Sequence, residues 1–153
     1  MKKTSVPLVI AFTPDYFIPA ATCLYSIITS MQAEGELHVI CLLSEELPER
    51  LKLKIQLIGE GRTCYSFVNL QGKLQHIYID QKYTEAASYR LLLPDLLPEY
   101  KKVIYIDCDI IVRNDLVQLY HSIDLGMNYL AAVFEASMDF QLDHLKTIGC
   151  NPN

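Results

Sequence analysis

Three short runs of nearly continuous apolar residues, VPLVIAF (6–12), LHVICLL (37–43) and VIYIDCDIIV (103–112), govern what this chain can become. A strand with one wet face alternates apolar and polar residues; a strand buried on both faces, as in a parallel sheet flanked by helices, reads as an unbroken apolar run. The segments between these runs carry helical spacing. Phe17, Ala20, Ala21, Leu24, Ile27, Ile28 and Met31 make one stripe, with Thr22, Ser26, Thr29 and Ser30 assigned to the other faces. The stretch from Tyr16 to Ala33 is uncharged, but the stripe makes it a helix packed on a sheet rather than a membrane span.

The alternation continues along the chain. Leu47, Leu51, Ile55 and Ile58 predict a helix capped by Ser44 and stopped by Gly59 and Gly61. TCYSFVNL (63–70) and LQHIYI (74–79) predict strands, and a helix starting near Glu85 is broken by Pro94 and Pro98. A short helix over Leu116–Tyr120, a strand YLAAVF (129–134) and a helix around Asp139–Ile148 complete the reading. The expected class is α/β, a mostly parallel, Rossmann-like sheet with helices on both faces and right-handed crossovers.

At 153 residues the chain has the length of one ordinary domain, and its 51% hydrophobic content can fill a core. A net charge of −5 argues against nucleic acid as a partner, because such binding draws its affinity from clustered Lys and Arg. Cys23, Cys41, Cys64, Cys108 and Cys150 show no CxxC spacing and are odd in number, which suggests neither zinc nor a disulfide framework. His38, His76, His121 and His144 are dispersed and take structural or solvated roles. The N-terminal MKKTSVPLVIAFTPD has no small-residue cleavage pattern and reads as a first strand, and no transmembrane segment is expected.

The third run holds two aspartates, Asp107 and Asp109, around Cys108. If the strand continues, residues i and i+2 share a face with Cα atoms roughly 6.6 Å apart. Two bare carboxylates at that spacing repel by roughly 2 to 3 kcal/mol at an effective dielectric near 20, so positive charge is called for. A hard divalent cation, a basic side chain or a shared proton would each answer, and so would a strand that simply ends in water. In open parallel sheets ligands sit beyond the carboxyl ends of the strands. Thr13, Pro14 and Asp15 follow the first strand, Asp107 and Asp109 follow another, and Glu135 follows the run ending at Phe134, which sets all of them on one rim. Asp115 fits an N-cap of the next helix.

SYRLLLPDLLPEYKKVIYIDCDIIVRNDLVQLY (88–120) resembles the family 8 glycosyltransferases, the group that contains bacterial lipopolysaccharide galactosyl- and glucosyltransferases and glycogenin. Tyr89-Arg90-Leu91, the Leu-Pro-Asp-Leu-Leu-Pro segment, Lys101–Asp109 and Val112–Leu116 match in order and spacing, and VIAFTPDYF and NYLAAVFE extend the likeness over essentially the whole chain. The resemblance implies a GT-A nucleotide-sugar fold, a UDP-sugar donor, a saccharide or lipopolysaccharide acceptor, Mn²⁺ or in its place Mg²⁺, and hexose transfer with retention. It implies Asp107 and Asp109 as metal ligands, with Asp107 also reaching the ribose or sugar. Thr13, Asp15, Tyr16, Arg90 and Cys108 become donor-side residues, and Glu135 lies toward the acceptor. The family often carries aspartate where Thr13 stands, and a hydroxyl can still bond the nucleoside.

The family's domain continues through an Asn-x-Gly segment, an acidic-glutamine stretch and a metal-binding histidine, none of which occurs here. The expectation is therefore an N-terminal portion of such a domain, truncated at the C-terminus and inactive alone, self-associating through surface left uncovered. The implied location is cytoplasmic, peripheral to the inner face of a membrane. Two alternatives stand beside this reading. One is a non-catalytic nucleotide-sugar-binding or structural α/β domain. The other is a phosphohydrolase of the haloacid dehalogenase type, whose Asp-x-Asp also follows an apolar strand but is usually continued by Gly-Thr or Thr near the chain start, where here Ile110-Ile111 follows.

Overall fold

The computed structural model describes residues 5–32, 34–75 and 84–133, in two compact units, 1–122 and 123–153. The first unit is an α/β sandwich around a four-stranded parallel sheet of order β3-β2-β1-β4. The strands are β1 (Val6–Phe12), β2 (Leu37–Leu43), β3 (Thr63–Asn69) and β4 (Ile104–Asp107). All of β1 is buried, as its unbroken apolar run requires.

The two-residue period sorts the strands between two cores. Val6, Leu8, Ile10 and Phe12 of β1 join Leu37, Val39, Cys41 and Leu43 of β2 on one face. Helix α1 (Phe17–Ser30) covers that face with Ala20, Cys23, Leu24 and Ile27, and helix α2 (Glu49–Gln56) adds Ile55. Val9, Ala11, Ile40 and Leu42 point the other way. There they meet α3 (Glu85–Ser88), a 3-10 turn over Tyr89–Leu92, and α4 (Leu93–Leu96). Leu116 and Val117 of α5 (Leu116–Ser122) return to the first face.

Several local expectations need correction. Pro48, not Ser44, precedes α2, since Pro presets the backbone of a first turn that begins at Glu49. Ser26 is not on an outer face of α1 but 8% exposed. The run at 103–112 is a strand only over Ile104–Asp107, where it pairs with β1 from Leu8 to Ala11; the pairing stops there although β1 continues to Phe12, and Cys108 and Asp109 form a turn. The segment predicted to break at Pro94 and Pro98 does so: Pro94 sits in the first turn of α4, and the helix stops at Leu96.

In the second unit, residues 129–133 are not a strand, contrary to the apolar pattern of YLAAVF; the described part holds a turn in which the Gly126 N–H donates to Asp124 Oδ1 at 2.9 Å. Residues 76–79 of the predicted LQHIYI strand, Glu135 and the 139–148 helix lie outside the described residues. Among the described residues no helix is long and apolar enough to cross a membrane.

Candidate functional site

The strand order itself marks a place. From β1 the chain passes to β2 on one side, with α1 on one face, while β4 lies on the other side and is reached over the opposite face. Such a reversal opens a crevice beyond the carboxyl ends of β1 and β4, the point where open α/β sheets bind ligands. Ala11 pairs with Asp107, so the residues just after Phe12 and just after Asp107 flank that crevice.

On the β1 side, Thr13 has an extended backbone and Pro14–Tyr16 form a 3-10 turn, closed by the Tyr16 N–H donating to the Thr13 carbonyl at 2.9 Å. Asp15 and Tyr16 are exposed, Tyr16 at 47% despite its aromatic ring. Proline at the start of this turn fixes the backbone direction in which Asp15 and Tyr16 leave the sheet.

On the β4 side, Ile104 and Ile106 pack on the α1 face. Tyr105 takes the other face, and Asp107, two residues on, shares it. Arg90, carried by the 3-10 turn on that face, spans both. Its Nη2 donates to Asp107 Oδ1 at 2.9 Å, and its guanidinium lies 4.7 Å from the Tyr105 ring centroid. A third contact, Nε to the Ala87 carbonyl at 2.8 Å, fixes the plane of the fork. The neighbouring Tyr89 anchors the turn from below: it is fully buried, and its hydroxyl donates to the Leu70 carbonyl at 3.3 Å. Burial raises the Tyr89 phenol to about 12, with Glu85 adding to the effect, so it remains a neutral donor.

The positive charge that the aspartate pair calls for is thus supplied, at Asp107, by Arg90. Asp109, on the exposed turn, projects beyond the strand, so the two carboxylates are not related by strand alternation. Cys108 between them turns inward and joins the core with Cys23. Its thiol is raised by burial first and by Asp109 next, which keeps it protonated.

The exposed carboxylates of Asp107 and Asp109, oxygen donors rather than thiolate or imidazole, suit a hard oxygen-seeking cation such as Mn²⁺ or Mg²⁺. Among the described residues no group of three or more His, Cys, Asp or Glu side chains could enclose a metal, so a cation here would need ligand oxygens, water or residues outside that set to complete its coordination. The structure therefore brings together Arg90 and Asp107 directly, and sets Thr13, Asp15 and Tyr16 after the end of β1, the strand that pairs with β4. Glu135 is outside the described residues.

The profile of glycosyl transferase family 8 matches residues 7–149. The chain belongs to that family. General stress protein A of Bacillus subtilis (strain 168) is 24% identical over 149 residues, 95% of this chain and 52% of its own length. Glycosyltransferase GlyE of Streptococcus pneumoniae serotype 4 is 32% identical over 103 residues, covering 61% of this chain and 23% of that protein. Among solved structures, the galactosyltransferase LgtC in complex with donor and acceptor sugar analogues superposes with a TM-score of 0.79 at 22% identity, over 97% of this chain and 53% of that one. The bifunctional glycosyltransferase WbbM in its apo form gives 0.78 at 24% identity, over 92% and 25%. This chain spans about half the length of General stress protein A and of LgtC, and less of the others. The parallel sheet and its flanking helices are the GT-A-type fold of these neighbours.

Sequence reasoning missed the residues that hold the Asp107–Asp115 segment to α1. The Val112 N–H donates to Ser26 Oγ at 2.9 Å, the Ser30 hydroxyl donates to the Asn114 carbonyl at 3.1 Å, and the Gln32 N–H donates to Asp115 Oδ2 at 2.8 Å. Asp115 also caps α5 as expected, accepting from the Val117 and Gln118 N–H groups at 2.8 and 3.2 Å. Hydroxyls recurring at helical spacing within an otherwise apolar, uncharged helix were the available signal.

Proposed function

We propose that the chain binds a UDP-sugar together with Mn²⁺ or Mg²⁺ at the β1/β4 rim, and that the protein transfers a hexose, galactose or glucose, to a saccharide acceptor with retention of configuration. The observation that carries the reading is Arg90 bonded to Asp107 beside Asp109 at the topological switch point of a family 8 chain. A guanidinium held in plane by the Ala87 carbonyl and Tyr105 presents further N–H donors for phosphate oxygens, a geometry that an ammonium does not offer. Two carboxylates at the same place would hold the cation, which when bound supplies positive charge to the donor diphosphate and to the departing UDP. The exposed Tyr16 ring gives a flat apolar surface for a base, and Thr13 and Asp15 offer hydrogen-bonding groups for the nucleoside.

The test is calorimetry with UDP, with and without Mn²⁺, on the wild-type chain and Asp109→Asn, followed by UDP release from UDP-galactose and UDP-glucose. Binding that requires the metal and disappears in Asp109→Asn supports the reading. Equal binding without metal rejects it.

A further inference from the structure

We infer that Ser26, seconded by Ser30, is a positioning residue that holds the loop carrying Asp109 in its ligand-ready shape. The inference deepens the proposed donor site and rests on that reading for its functional part.

The loop from Cys108 to Asn114 has no strand pairing, since β4 ends at Asp107. A segment without ladder hydrogen bonds needs other partners for its backbone, and α1 supplies them along one stripe. Cys23, Ser26 and Ser30 lie at positions i, i+3 and i+7, which share a helix face. Cys23 Sγ contacts the Asp107 carbonyl at 3.8 Å, Ser26 Oγ accepts the Val112 N–H, and the Ser30 hydroxyl reaches the Asn114 carbonyl. The stripe therefore touches the beginning, the middle and the end of the segment.

Ser26 is the strongest of these contacts. It is 8% exposed, its hydroxyl proton is committed to the Cys23 carbonyl at 2.7 Å, and its oxygen is left to accept from Val112. Alanine there would leave the Val112 N–H without its acceptor in a part-buried setting, and the loop would have to open to water to satisfy it. Opening displaces Asp109, three residues back along the same loop. Thr29 is the natural control: its hydroxyl donates to the Tyr25 and Ser26 carbonyls of its own helix and makes no hydrogen bond to the loop.

The experiment compares the full chain with Ser26→Ala, Ser26→Thr and Thr29→Ala by amide hydrogen exchange, thermal unfolding and calorimetry with Mn²⁺ and UDP. In Ser26→Ala, exchange at Val112 should accelerate while β1 and β2 amides keep their protection. Metal-dependent UDP binding should weaken by about tenfold, the loss equivalent to one hydrogen bond's net contribution. Ser26→Thr, which keeps the hydroxyl, should restore both readouts, and Thr29→Ala should change neither. Unchanged Val112 exchange in Ser26→Ala overturns the tether. Faster exchange with unaltered UDP affinity overturns the positioning role. A wild-type chain that binds no UDP with Mn²⁺ rejects the proposed donor site instead, and Val112 exchange then decides the tether by itself.

Discussion

Replacing Arg90 by alanine separates two roles that share one geometry. In the free protein Arg90 makes an ion pair with Asp107 in which the side chains are 46% and 55% exposed, so the pair contributes no more than about 1 kcal/mol to stability. The face of Tyr105 at 4.7 Å adds roughly 0.5 to 1 kcal/mol. The variant should therefore unfold only about 0.5 to 2 kcal/mol more easily, a shift of a few degrees in the thermal midpoint for a chain of this size. Donor binding should suffer more. A hydrogen bond to a charged group is worth about 1.5 to 3 kcal/mol, which converts to roughly a tenfold to hundredfold loss of UDP affinity. Arg90→Lys keeps the charge but cannot hold the Ala87 carbonyl and Asp107 while offering a planar fork, so its affinity should fall between wild type and alanine. Calorimetry with UDP and saturating Mn²⁺, beside thermal melts of the same samples, reads both quantities. If Arg90 serves only to neutralise Asp107, alanine would free that carboxylate for the cation and binding would hold or improve. UDP affinity within twofold of wild type in Arg90→Ala would refute the donor role and leave Arg90 as a structural partner of Asp107 and Tyr105.

Asp109→Asn should abolish the Mn²⁺-dependent binding of UDP while leaving the thermal midpoint nearly unchanged, because the side chain is exposed on a turn; a midpoint lowered by many degrees would assign Asp109 to the fold instead. His38, held between Tyr100 Oη at 2.5 Å and Ser66 Oγ at 2.7 Å, has its pKa lowered from 6.5 by desolvation, against a smaller opposing effect of Glu99. A depressed folded-state value means the unfolded chain takes up the proton first, so stability is present above pH 6.5 and lost as pH falls through the folded value. Urea midpoints measured from pH 7.5 to 5 should fall less steeply in His38→Gln than in wild type, and an unchanged slope would exclude His38 as a source of acid sensitivity. Gly59→Ala should cost at least about 1 kcal/mol by chemical denaturation, since φ is +73° and an added Cβ would lie 2.8 Å from Ile28 Cδ1; a neutral substitution would show that the α2–β3 turn relaxes freely.

Apolar patterning reported the sheet well: burial on both faces leaves little choice of residue in β1 and β2, which run where VPLVIAF and LHVICLL predict them, and the alternating TCYSFVNL marks the edge strand β3, which ends one residue earlier at Asn69. The same signal failed at 108–112. Cys108 and Val112 are apolar because they pack on the α1 core, not because they extend a strand, and apolarity alone cannot distinguish a core-facing loop from a buried ladder. Ladder pairing, not apolarity, sets where β4 ends: it runs only from Leu8–Ile104 to Ala11–Asp107. That ending is also what makes a site. A longer strand would have fixed Asp109 by the pleat; with the shorter one the backbone after it is bonded by α1 hydroxyls instead, whose recurrence at helical spacing marks a helix face without saying which segment meets it. The resemblance carried by residues 88–120 located Arg90 and the aspartates, but the contact between Arg90 and Asp107 links residues 17 positions apart through a 3-10 turn that no periodicity marks. In sequence, the aspartate pair calls for positive charge or a shared proton unless its strand simply ends in water. At Asp107 the fold answers with a basic side chain, Arg90; under the proposed reading a metal entering this site would compete with Arg90 for Asp107, and a diphosphate arriving with the metal would give the displaced guanidinium a new partner.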